Sequence, residues 1–117
     1  MIVAVDFDGT CVENRWPELG ADVPGAVETL QQWSDDGVKI ILWTCRSGMP
    51  LQAAVEWFNH NNIPLFGVNT NPEQIAFSTS PKIYAHKYVD DAAAGCPLIE
   101  GNDLPPYVDW LQINLTS

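Results

Sequence analysis

Positive charge is scarce in this chain. Five lysines and arginines stand against fifteen aspartates and glutamates, giving a formal net charge of −10 over 117 residues. A protein this acidic has little non-specific affinity for nucleic acid or an anionic membrane, so neither is expected as a partner. A small anionic substrate stays open, because a few cations gathered at one place suffice to bind it. Long apolar runs are missing as well: no stretch reaches the ~20 residues that a bilayer-spanning helix needs. The amino terminus lacks the basic region of a secretory leader, and Asp6 interrupts its first apolar run at once. Cysteine is limited to Cys11, Cys45 and Cys96, an odd number with no metal-type spacing. That usage fits a reduced, cytoplasmic chain whose thiols serve as small buried apolar residues. Repeats and low-complexity tracts are also absent. What is present is an ordinary globular composition, 46 % hydrophobic, and one domain over residues 1–117. A chain of this length buries roughly two-thirds of its unfolded surface.

Apolar and helical periods alternate along it. Ile2 to Val5 read as a buried strand that Gly9 breaks. Residues 11–22 are polar, contain Pro17 and Gly20, and read as an excursion over the surface. Pro24 opens a helix in which Val23, Ala26, Val27, Leu30 and Trp33 share a stripe, and Gly37 stops it. Val38 to Trp43 form a second strand, and Pro50 starts a second helix with Leu51, Ala54, Val55 and Phe58 inward. Ile63 to Val68 supply a third strand, 69–80 a polar loop, and Lys82 to Val89 a fourth strand. Leu98-Ile99 make a short fifth strand. After Pro105-Pro106 the spacing predicts a terminal helix over 107–115 with Val108, Leu111 and Leu115 inward. Strands alternating with helices imply an α/β fold around a parallel sheet.

The first strand ends in Asp6-Phe7-Asp8-Gly9-Thr10. Side chains two apart share a face, so both carboxylates converge at the strand's carboxyl end, where open parallel sheets bind ligands. Two converging anions repel, and a divalent cation with hard oxygen ligands, magnesium above all, compensates them most simply. In a parallel sheet the ends of strands one, two and four face one crevice. Asp6, Asp8, Thr44, Arg46, Asp90 and Asp91 therefore gather on one rim.

These residues resemble the four motifs of the haloacid dehalogenase superfamily, the aspartate-nucleophile phosphatases and phosphotransferases. Asp6 to Thr10 resemble its first motif, Thr44 its second, Lys82 its third and Asp90-Asp91 its fourth, all in family order. The resemblance implies a three-layer Rossmann-like parallel sheet with helices on both faces. It implies a magnesium-dependent phosphomonoester hydrolase in which Asp6 is the nucleophile, forming an aspartyl-phosphate, and Asp8 the general acid and base. It further implies magnesium held by Asp6, the Asp8 carbonyl, Asp90 and Asp91, with Thr44 and Lys82 on the phosphoryl group. An acid at position 8 favours phosphoryl transfer over displacement of halide from carbon, which has no leaving oxygen to protonate. Lys82 and Lys87 both precede the acidic pair; Lys82, after Ser80-Pro81, has more freedom to reach the crevice. Arg46 is a substrate contact or a solvated loop charge, and Arg15 and Trp16 touch substrate or pack on the surface.

Only thirty-five residues separate Asp8 from Thr44, and thirty-seven separate Thr44 from Lys82. Neither interval holds an independent cap domain, so the site is expected to be open, with 11–22 and 69–80 as its edge loops. Discrimination then rests on those loops, on the substrate, or on self-association that covers the site. A small phosphorylated substrate is preferred, since net acidity disfavours a long polyanion. Two other functions use the same residues: transfer of phosphate to an acceptor other than water, and noncatalytic metal binding or protein interaction.

Overall fold

A computed structural model describes residues 1–101 and 103–116. At its centre lies β1 (Ile2–Val5), whose four residues are all buried. The other elements of the main body are α1 (Ala26–Asp35), β2 (Lys39–Leu42), α2 (Gly48–His60), β3 (Gly67–Val68) and β4 (Lys87–Val89). The four strands are parallel in the order β3-β2-β1-β4. A strand flanked on both sides and covered on both faces must be continuously apolar, and Ile-Val-Ala-Val is.

The order dictates the layers. The β1–α1–β2 and β2–α2–β3 connections step in the same direction, so right-handed crossovers put both helices on one face. There Val3, Val5, Ile40 and Leu42 meet Leu30 and Trp33 of α1 and Ala54, Trp57 and Phe58 of α2 in one core. The β3–β4 connection returns past β1 and covers the opposite face, where Ile2, Ala4 and Ile41 pack on Ile83 and Ala85. This is the three-layer Rossmann-like α/β arrangement. Its second outer layer is extended chain with one 3-10 turn, Gln74–Ala76. Gln74 pins that layer: its side-chain amide donates to the Lys82 carbonyl and its oxygen accepts from the Tyr84 N–H.

Several elements are shorter than their sequences predict. Of residues 63–68 only Gly67–Val68 pair, and of 82–89 only Lys87–Val89. The terminal segment is not a helix. Tyr107–Val108 (β6) pair antiparallel with Leu98–Ile99 (β5), followed by a 3-10 turn at Trp110–Gln112. Val108 is buried as expected, but Leu111 is 95 % exposed. The excursion at 11–22 also differs from a loose surface loop. Cys11, Val12 and Gly20 are buried, and Glu13 and Val23 donate backbone N–H bonds to Ala21 and Cys11 carbonyls, closing the segment on itself. Of the thiols, Cys11 is buried and Cys45 is exposed. His86 accepts the Ile2 N–H on Nδ1. No described helix is long and apolar enough to cross a membrane.

Candidate active site

Strand register brings the site together. Val5 is level with both Leu42 and Val89, so the residues that follow each strand emerge at one edge. Backbone bonds carry the alignment one step further: Asp6 donates its N–H to Val89, and Trp43 donates to Val5. Around this edge opens a cavity of about 520 Å³ lined by Asp6, Asp8, Thr44, Arg46, Asp90 and Asp91, with Asn14 and Trp16 at its margin. All six residues that the topology places on one rim are therefore together.

Asp6, Asp90 and Asp91 form the centre. Each presents a carboxylate oxygen, and these oxygens lie within 4.8 Å of one another. Burial, the adjoining Asp91 carboxyl and the Asp90 charge push the Asp6 carboxyl up to about 8. Asp91 is raised too, first by burial. The cause is physical: charged carboxylates are disfavoured where water is excluded and like charges crowd. Hard oxygen donors, excess negative charge and raised proton affinity are what a divalent cation relieves, so this donor set fits magnesium.

Thr10 organises the cluster, a role its sequence position alone does not reveal. Fully buried, it donates its hydroxyl to Asp6 Oδ2 at 3.0 Å and accepts the Asp91 N–H at 3.2 Å. Gly9 makes the approach possible: it has φ near +80°, and a Cβ there would overlap the Asp91 carboxylate. Asp90 Oδ1 accepts the Ala92 N–H, folding 90–93 into a turn.

Asp8 stands apart from the three. Arg46 Nε and Nη2 bind its two oxygens at 2.9 and 2.7 Å, a bidentate fork. The Asp8 carboxylate is thus compensated inside the protein rather than by a cation shared with Asp6, which leaves the Asp8 backbone carbonyl, the atom expected at the metal, uninvolved in the fork. Arg46 is 2 % exposed rather than solvated. It also donates to the carbonyls of Pro17, Glu18 and Pro50 and lies over the Phe7 ring at 5.0 Å. Its donors are occupied by protein, so its expected contact with substrate gives way to holding Asp8 and the 11–22 segment in place.

Thr44 lines the cavity with its N–H bonded to Asn69 Oδ1 at 2.8 Å and its hydroxyl oxygen accepting the Arg46 N–H. The hydroxyl proton remains available to a ligand. Neither lysine joins the site. Lys82 is exposed, with its ammonium 6.0 Å from the Tyr88 ring centroid, and Lys87 faces a different cavity beside Cys96 and Ile113. The connection carrying Lys82 is held by Gln74 against the second face, which withdraws it from the rim. Arg15 pairs with Glu13 at 3.5 Å and does not line the cavity.

No protein-family model matches the chain, and no curated protein matches it. Among solved structures, the chain is similar to a conserved protein coded by a locus from Bacteroides thetaiotaomicron. The two share 38 % identity with a TM-score of 0.74, over 81 % of this chain and 78 % of that one. At that identity and coverage, this chain belongs to the same family as the Bacteroides protein.

Proposed function

We propose that the protein is a magnesium-dependent phosphomonoester hydrolase of the haloacid dehalogenase type. The observation that carries this reading is the meeting of Asp6, Asp90 and Asp91 within reach of one cation, beside a Thr44 hydroxyl with its proton free. Asp6, Asp90 and Asp91 would hold the ion, which supplies positive charge against the phosphoryl oxygens. Asp6 attacks phosphorus; its Oδ–P bond forms as the ester P–O bond breaks, and the leaving oxygen takes a proton from Asp8. Water then gives a proton to Asp8 and forms the new O–P bond, while the Asp6–phosphorus bond breaks and phosphate leaves. Both Asp8 oxygens accept from Arg46 in the structure, so each proton transfer requires one of them to leave that fork, while Thr44 donates to a phosphoryl oxygen.

A second reading is a noncatalytic cation-binding domain. It is favoured by one observation: among the described residues no lysine lines the cavity, and the cationic side chain that does, Arg46, is committed to Asp8. Phosphate release from a panel of phosphomonoesters, with magnesium or chelator, separates the two. The hydrolase reading expects magnesium-dependent turnover that Asp6→Asn reduces by about 10³-fold or more with the fold intact by circular dichroism. Silence across the panel, or an Asp6→Asn protein as active as wild type, rejects it. Labelled water distinguishes hydrolysis from transfer to another acceptor by the isotope content of the product.

A further inference from the structure

Two indoles flank the acidic centre. A smaller cavity of about 200 Å³ shares Asp6, Thr44, Cys45 and Asp90 with the larger one and adds Trp43. The opening thus has two lobes, one walled by Trp16 and the other by Trp43. Trp16 is 62 % exposed. An indole open to water carries an unfavourable apolar hydration that a flat ligand removes. Its segment is nonetheless held firmly: buried Arg46 donates to the carbonyls of Pro17 at 3.3 Å and Glu18 at 2.7 Å. Trp16 is therefore presented on a fixed ledge beside the reacting groups, and a pre-set aromatic surface binds without the cost of ordering a loop.

The charges around the opening restrict what else can enter. Four carboxylates face it, and the one cationic side chain lining it is spent on Asp8. A leaving group with a second phosphate or a carboxylate meets repulsion with no counter-charge, whereas an uncharged ring meets an indole. The larger lobe, at about 520 Å³, has the size of sites that enclose small organic ligands.

We propose, resting on the hydrolase reading, that the preferred substrates carry one phosphate on an uncharged leaving group bearing a flat ring, stacked on Trp16. Nucleoside monophosphates and aryl phosphates are that class. The cleanest test compares a nucleoside 5′-monophosphate with ribose 5-phosphate, because the reacting alcohol is the same and only the ring differs. The expected kcat/KM ratio is about tenfold or more in favour of the nucleotide. Trp16→Ala should collapse that ratio towards one, and Trp16→Phe should keep most of it. Calorimetry on the Asp6→Asn protein should show nucleotide binding that weakens by about tenfold when Trp16→Ala is added. A nucleoside 3′,5′-bisphosphate should be the poorer substrate. Turnover of both sugar and nucleotide at equal kcat/KM, or a ratio that survives Trp16→Ala, overturns this inference and leaves the hydrolase reading standing. Turnover of neither, with other phosphomonoesters hydrolysed and no preference for a ring-bearing leaving group, also overturns this inference, whereas silence across the whole panel rejects the hydrolase reading itself.

Discussion

Asp6 carries two burdens, and they pull in opposite directions. In the proposed hydrolase it must be ionised to attack, yet burial and two neighbouring acids hold its proton on up to about 8 when no cation is bound. A carboxyl whose folded pKa lies above its ordinary value of 3.8 contributes stability at low pH and loses it as pH rises towards 8. Metal-free wild type should therefore lose Tm relative to Asp6→Asn as pH climbs from about 4 to about 8. A Tm difference that stays flat over that range contradicts the assignment. Arg46 makes the complementary case. Its fork holds Asp8 and its remaining donors hold three carbonyls, with the Arg46 side chain 1 % exposed and that of Asp8 16 %. Arg46→Ala leaves those groups unpaired and should cost about 3–5 kcal/mol in urea unfolding. Arg46→Lys should recover only part, because a point charge cannot reproduce the fork. A cost below about 1 kcal/mol for Arg46→Ala would show that the pair is not structural.

At the scale of elements, the carboxyl-terminal segment latches the loop that carries the site. Val108 donates its N–H to the Gly9 carbonyl, and the Trp110 indole donates to the Thr10 carbonyl at 2.8 Å while its ring packs on Trp33. Trp110→Ala should destabilise by about 3–5 kcal/mol, whereas Leu111→Ala should change stability by less than about 0.5 kcal/mol. A large loss at Leu111 would instead support the helix that the 108, 111 and 115 spacing predicts. That spacing misleads because tertiary contacts override it: Val108 is claimed by a strand pair with Leu98, and Trp110 by the site loop. Strands β1 and β2 are legible from sequence, since burial on both faces leaves apolar runs, Ile2–Val5 in the first and Ile40, Ile41 and Leu42 after the exposed Lys39 in the second. Asp6 and Asp90 are legible because each directly follows a strand, and Thr44 because it lies two residues past β2. Lys82 is not, because it lies on a long irregular connection whose course depends on Gln74 rather than on any period. Thr10 likewise makes its bonds, and Trp16 reaches the cavity, through loop geometry that no repeat in the chain encodes.

Across the whole molecule, charge is distributed unevenly. Lys39 sits over Phe66 and Lys82 over Tyr88, away from the acidic opening, so the opening concentrates negative charge in a protein already at −10. The radius of gyration, 13.6 Å, is close to the ~13.4 Å of a compact globule of this length, leaving no room for a protruding cap among the described residues. An open, strongly negative cavity attracts cations before any organic ligand. Cation binding must also displace the proton held by the crowded acids, since the ligand form of a carboxyl is the anion. Magnesium titration by calorimetry at about pH 7, in two buffers of different ionisation enthalpy, therefore tests the central claim most directly. The account predicts one ion bound with release of roughly one proton, and loss of both signals in Asp90→Asn. No measurable binding, or binding that Asp6→Asn and Asp90→Asn leave unchanged, would contradict it.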